Sequence, residues 1–267
     1  MIVETELPIL LAYLLVGALA GIIGGLLGLG GGLVIVPALL YLFIRQGLPA
    51  EILMHLAVAT SLATIVFTSI SSTFTHHRHG AVLWSQVKLF VPGIILGGLL
   101  GAIIADHLAS NSLRVAFGVF EILVAVQIGF DIKASAHREL PARGGMFLAG
   151  SGIGTLSTLL GIGGGTLTVP FLLWCNVNIR NAIATSSASG LPVALVGTIA
   201  MMITGWDSEN LPAGTTGYVY WPAATVILIA SVLFAPLGAR LTHTLPVKSL
   251  KRIFAVVLAG VGIRMLV

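Results

Sequence analysis

The apolar residues of this chain lie in long unbroken stretches, and its polar residues collect between them. Many stretches approach the roughly 20 residues that a helix needs to cross a bilayer. Continuous runs such as Leu89 to Ile104 also lack the alternation typical of a membrane β-strand. The pattern therefore predicts α-helices, which satisfy their backbone hydrogen bonds within lipid.

Ten apolar segments are predicted, five in each half of the chain. Their approximate bounds are 7–29, 33–44, 52–75, 88–106 and 113–130, followed by 145–161, 166–175, 181–204, 218–240 and 249–267. The second segment of each set has only about a dozen residues, or roughly 18 Å of helix. Such a segment reaches about halfway through a membrane.

Four motifs of the first half recur in the second half in the same order. GLGGGLVIVPALL (28–40) returns as GIGGGTLTVPFLL (161–173), AVATS (57–61) as AIATS (182–186), GAVLW (80–84) as GYVYW (217–221), and SLRVAF (112–117) as SLKRIF (249–254). The chain is therefore predicted to consist of two repeats, 1–143 and 144–267, intertwined in one membrane domain.

Composition supports the membrane assignment. Of 267 residues, 57% are hydrophobic and only 8% are charged, against about 25% charged in soluble domains. Glu4 and Glu6 stand where a cleaved signal peptide would be basic, so the first segment is expected to remain as a membrane helix.

The distribution of Lys and Arg predicts the topology. If each glycine motif turns the chain back, one side of the membrane receives most of the 13 basic residues and the other side only Arg45, Arg114 and Arg264. This bias marks the first side as cytoplasmic and places both termini in the periplasm. The two halves then have opposite orientations, as in many secondary transporters.

The two glycine motifs are the first candidate site. Unwound glycine backbone exposes N–H groups, and the following short helix adds the positive end of its dipole. Two such ends near the midplane would bind an anion without a buried Lys or Arg. The candidate residues are Gly30, Gly31, Gly32, Gly163, Gly164 and Gly165. Close helix packing is the alternative reason for these glycines.

Hydroxyl groups follow each motif at Thr60 and Ser61, and at Thr185 and Ser186. They are predicted to donate hydrogen bonds to an anion from the same central region. The alternative is that each hydroxyl bonds to a carbonyl one turn earlier in its own helix.

With these motifs the chain resembles the TauE/SafE sulfite exporter family, also called the toluene sulfonate uptake permease family. The resemblance rests on the duplicated GxGGGxxxxP, the ATS triplets and the basic SLRVAF and SLKRIF segments, and it covers nearly the whole chain. It implies a multi-pass carrier in the bacterial inner membrane. It also implies a small sulfur-containing anion as substrate, such as sulfite or an organosulfonate, with contacts in the glycine region.

Glu121 is the one acidic residue near the middle of a predicted span. A carboxylate there costs about 2.5–3.5 kcal/mol on insertion scales, so Glu121 is a candidate for proton coupling. A neutral, structural Glu is the alternative.

Other chemistry receives little support from the sequence. His76, His77 and His79 lack the cysteine or carboxylate that would complete a metal site, and Cys175 is the only cysteine, so neither a metal nor a cofactor is predicted. Ser151 lacks a nearby histidine base, which disfavours an intramembrane enzyme, whereas an anion channel stays an alternative. Membrane lipid and a second copy of the chain are the candidate partners besides the anion, and nucleic acid is not expected.

Overall fold

The computed structural model describes residues 2–27, 31–130, 139–241 and 247–267. These residues form ten α-helices: α1 (Ile2–Leu27), α2 (Gly32–Arg45), α3 (Leu53–Arg78), α4 (Trp84–His107), α5 (Ser110–Gly129), α6 (Arg143–Leu160), α7 (Gly165–Trp174), α8 (Ile179–Thr204), α9 (Trp221–Leu241) and α10 (Val247–Leu266). Two short strands, β1 (Thr215–Thr216) and β2 (Val219–Tyr220), pair antiparallel between α8 and α9.

The all-α polytopic membrane fold predicted from the sequence is confirmed. Within the described residues five helices are long and apolar enough to span a bilayer, and α2 and α7 are the short apolar helices that follow the glycine motifs. The prediction was wrong at the start of α9, which begins at Trp221 rather than at 218. Val219 and Tyr220 pair with Thr216 and Thr215 across a turn at Gly217, whose φ is +53°, so the helix begins only after β2.

The helices pack in pairs that join the two halves of the chain. Helix α4 packs on α6, and α1 packs on α9, which are equivalent pairs when the first repeat is aligned with the second. The equivalent helices α3 and α8 pack on each other, as do α5 and α10. The core is therefore shared between the halves, in the pattern expected of two inverted repeats.

Both short helices run back along the long helix that precedes them. Near the middle of α1, the Tyr13 hydroxyl accepts a 2.6 Å hydrogen bond from the Gln46 amide, which follows the end of α2. In the second half, Gly150 of α6 and Phe171 of α7 both contact Phe90 of α4. Each short helix therefore returns beside the long helix before it, which confirms the helical hairpins.

The long helices define two ends of the molecule. The β-hairpin end contains β1, β2, the start of α3 and the end of α4, which are joined through hydrogen bonds of Thr60 and Tyr218. The His76 end contains the end of α3, the start of α4 and the start of α8, where the Asn181 side chain donates a 2.9 Å hydrogen bond to the Ala81 carbonyl. These two names are used below.

Candidate functional site

A cavity of about 580 Å³ lies between the halves of the molecule. It starts at the glycine motifs and extends along α3 as far as His76. Helices α1, α3, α8 and α9 provide most of its wall, and the start of α7 closes its inner part. Five predicted site residues line this cavity: Gly31, Gly163, Gly164, Gly165 and Ser186.

The two glycine motifs meet at the centre of the molecule. A Cβ atom added to Gly32 would lie 2.7 Å from the Gly161 carbonyl oxygen and 2.8 Å from the Ile162 Cα, so Gly32 belongs to this contact rather than to the cavity wall. Gly161 ends α6 with a φ of +66°, and its own Cβ would lie 2.8 Å from the Val58 Cα. Gly30 lies outside the described residues.

Gly163, Gly164 and Gly165 bring the N-terminus of α7 to the cavity. Gly164 caps that helix, and its carbonyl accepts the Thr168 N–H at 2.9 Å. A Cβ on Gly164 would lie 3.2 Å from the Gly190 Cα on α8. The backbone of α7 and that of α8 therefore approach closely here, at the positive end of the α7 dipole, and a side chain at Gly164 would be tightly packed.

The two threonines of the ATS motifs bind backbone of the opposite half. Thr60 Oγ1 accepts the Tyr220 N–H at 3.0 Å, and Thr185 Oγ1 accepts the Leu83 N–H at 3.1 Å. Leu83 and Tyr220 hold the same place in the GAVLW and GYVYW motifs. Both threonines thus fix the segment before α4 or α9, and neither lines the cavity.

The two serines of the same motifs differ from each other. Ser61 Oγ donates a 2.8 Å hydrogen bond to the Gly161 carbonyl and does not line the cavity. Ser186 is 1% exposed and lines the cavity, and its Oγ has no hydrogen-bond partner among the described residues. Of the four motif hydroxyls, only that of Ser186 is therefore available to a molecule in this cavity.

The cavity wall contains hydroxyl groups that the sequence analysis did not select. They belong to Thr68, Ser69, Ser71, Ser72, Thr75, Ser187 and Ser231. Ser72 Oγ donates to Ser187 Oγ at 3.1 Å and so links α3 to α8. These α3 hydroxyls were visible in the sequence as the run TSISSTFT (68–75). The run lies at the end of a predicted span, where polar residues commonly mark the membrane surface.

The described wall residues carry no fixed charge. The titratable group among them is His76, at the outer limit of the cavity. Ala20, Ile35, Ile65, Ile183, Val232 and Ala235 provide apolar surface. The wall therefore offers hydroxyl and backbone donors beside apolar surface, which suits a small anion with an organic part.

The β-hairpin end is closed by aromatic and polar contacts. The Tyr218 hydroxyl donates to an Asp106 carboxylate oxygen at 2.9 Å and accepts from Ser208 Oγ at 2.7 Å. Burial raises the pKa of the Tyr218 phenol above its usual value, so the phenol stays a donor at neutral pH. The His55 ring lies 4.9 Å from the Tyr218 ring and bonds the Ala105 carbonyl at 2.9 Å.

Glu121 lies apart from the cavity. It is fully buried on α5, which packs on α10, and neither carboxyl oxygen has a hydrogen-bond partner among the described residues. Ser151 also lies apart from the cavity, since its backbone packs against α4. Its carbonyl accepts a hydrogen bond from the Thr155 hydroxyl.

Comparison with known proteins identifies the family. The sequence profile described as sulfite exporter TauE/SafE matches residues 13–265. The chain belongs to this family. A "Probable membrane transporter protein" of Haemophilus influenzae is 37% identical over 258 residues, with 96% of this chain and 97% of that protein covered. The "Probable membrane transporter protein YunE" of Bacillus subtilis is 30% identical over 271 residues, with 94% of each chain covered.

Membership of the TauE/SafE family agrees with the fold. The profile includes both glycine motifs and all the cavity helices, so the match is not confined to a few apolar spans. The chain is a multi-pass membrane protein of a transporter family. No solved structure gives a significant match to it.

Proposed function

We propose that this protein is a secondary transporter for a small sulfur-containing anion, such as sulfite or an organosulfonate. The observation that carries the proposal is the cavity beside the start of α7, which has glycine backbone and the available Ser186 hydroxyl on its wall. The family name TauE/SafE supports sulfite chemistry. Because the described wall residues carry no fixed charge, the anion would be held by neutral hydroxyl and backbone donors. Its organic substituent would lie against the apolar side of the cavity.

Among the described residues, the cavity wall extends to the His76 end and not to the β-hairpin end, which is the geometry of a carrier in one of its two access states. The start of α4, with Lys88, and the start of α8, with Arg180, lie at the His76 end. Arg45 and Arg264 flank the Tyr41 ring near the ends of α2 and α10. By the positive-inside rule the His76 end faces the cytoplasm of the bacterial inner membrane, and both termini face the periplasm.

Transport by purified protein in liposomes tests the proposal. Uptake of labelled sulfite, taurine, sulfoacetate and chloride is measured with and without a pH gradient. Saturable uptake of a sulfur-containing anion, with little chloride uptake, is the expected result. Rapid voltage-driven current that does not saturate would identify an anion channel instead. No flux of any of these anions through folded protein would contradict the proposal.

A further inference from the structure

We propose that Ser61 and Ser186 exchange roles during transport: one is held by the glycine motif of the opposite half while the other is available to the anion. The proposal rests on the proposed function in assuming alternating access. It assigns to each serine a task that depends on the conformation, rather than making both permanent substrate contacts.

The threonines of the two motifs are equivalent in the two halves, whereas the serines are not. Thr60 and Thr185 make the same hydrogen bond in both halves, each to the N–H that precedes the next long helix of the opposite repeat. Bonds that are equal in both halves do not change when the repeats exchange conformations. They therefore mark the part of the α3–α8 pair that stays fixed.

The serine hydroxyls, one residue later, differ in their hydrogen bonds. Ser61 Oγ is bound to the Gly161 carbonyl in the buried centre of the molecule. Ser186 holds the equivalent position, is buried, and has no such bond among the described residues. In an inverted repeat the second access state arises when each half adopts the conformation of the other. Ser186 would then be bound by the first glycine motif, and Ser61 would be released.

The serine that lacks a protein partner is available to hydrogen-bond the anion. A buried hydroxyl without a hydrogen-bond partner is unfavourable until it finds one. Ser186 lies on the cavity wall, as does the N-terminal turn of α7. An oxyanion bound there would accept a hydrogen bond from the Ser186 hydroxyl. In the opposite state Ser61 would have the equivalent position beside α2. The anion is thus always met by one free serine, on whichever side is open.

The opposite state can be detected without any substrate. The alignment that pairs Ser61 with Ser186 pairs Thr75, on the cavity wall, with Ala200, which is buried here. A cysteine at Ala200, in a Cys175→Ala background, should react with a polar thiol reagent mainly when the β-hairpin end opens. Its reaction rate in nanodiscs then reports the population of that opposite state.

Ser61→Ala removes a bond of the present state and should speed labelling at position 200 by about fivefold, as expected for one hydrogen bond. Ser186→Ala removes a bond of the opposite state and should slow labelling. The double variant should return to the rate of the parent. Ser157→Ala is the matched control, because Ser157 is buried on α6 without a hydroxyl partner among the described residues and does not line the cavity.

The proposal is overturned if Ser61→Ala leaves labelling unchanged, or if both single variants change it in the same direction. It is also overturned if Ser157→Ala speeds labelling as much as Ser61→Ala, because general loosening would then explain the effect. Since labelling needs no anion, the exchange can fail while sulfonate uptake succeeds, and sulfonate uptake can fail while the exchange is observed.

Discussion

The two ends of α3 differ in what surrounds them. From Leu53 to Ile65, at the β-hairpin end, every residue is buried. Beyond Ile65 the same helix turns hydroxyl groups to the cavity and ends at exposed residues near His76. Helix α8 lines the cavity with its first half, at Ile183, Ser186, Ser187 and Gly190, and no described α8 residue after Gly190 lines it. One end of the α3–α8 pair is packed shut, while the other holds space for a ligand.

The difference shows how closure and binding are divided. The closed end is stabilised by apolar packing and by a few hydrogen bonds such as the part-buried one of Tyr218 to Asp106. The cavity end has glycine backbone and hydroxyl groups, which suit a ligand and contribute little to packing. Substitutions at the cavity end should therefore change transport, and substitutions at the closed end should change stability.

The largest effect is expected at the cavity end. Gly164→Val should abolish transport, because its Cβ would already lie 3.2 Å from the Gly190 backbone and its methyl groups would fill space at the start of α7. The protein should still insert and fold, since the site borders a cavity. Liposome uptake and gel filtration measure the two quantities. Gly152→Val on α6 is the control, because a Cβ there meets no atom within 4 Å, and equal loss in both variants would contradict the assignment.

A smaller effect is expected at the closed end. Tyr218→Phe removes the hydrogen bond to Asp106 and should lower the free energy of unfolding by about 1–3 kcal/mol. Thermal unfolding in detergent checks this. For comparison, Ser72→Ala removes a hydrogen bond between two hydroxyl groups at the cavity end, which involves no carboxylate and should cost less, about 0.5–1 kcal/mol. A larger loss in Ser72→Ala than in Tyr218→Phe would reverse the division between the ends.

The smallest change is expected away from both ends, at Glu121. Glu121→Gln keeps the shape of a neutral carboxyl in its buried position on α5, so folding and transport at equal pH should be retained. If Glu121 binds the coupling proton, the variant should lose the increase in uptake that a pH gradient gives. Uptake with and without the gradient measures this. An unchanged increase would leave Glu121 a structural residue.

Much of the fold could be predicted because the bilayer restricts the choices so strongly. The apolar runs indicated the helices, and the repeated glycine motifs together with the distribution of Lys and Arg indicated both breaks. The short hairpin before Trp221 was missed, because its two strands, Thr215–Thr216 and Val219–Tyr220, form only two residue pairs. That structure depends on the Gly217 turn rather than on any periodic pattern.

The candidate site was predictable in part. Glycines and hydroxyl groups could be selected by motif, but sequence could not separate Ser61 from Ser186, which stand in nearly identical motifs. Their difference depends on which glycine motif lies beside each one in this conformation. The hydroxyl groups of Ser71 and Ser72 were missed for a similar reason, because only the packing of α3 against α8 turns them to a cavity.

If the cavity at the His76 end binds the anion, a bound anion should protect the cavity wall from thiol labelling. A cysteine at Ala235, a wall residue on α9, is introduced into the Cys175→Ala background and labelled in nanodiscs with increasing sulfoacetate. The account predicts that sulfoacetate slows labelling to a saturating limit, that chloride does not, and that Gly164→Val removes the protection. Labelling that sulfoacetate leaves unchanged, in protein that transports it, would show that the anion binds elsewhere.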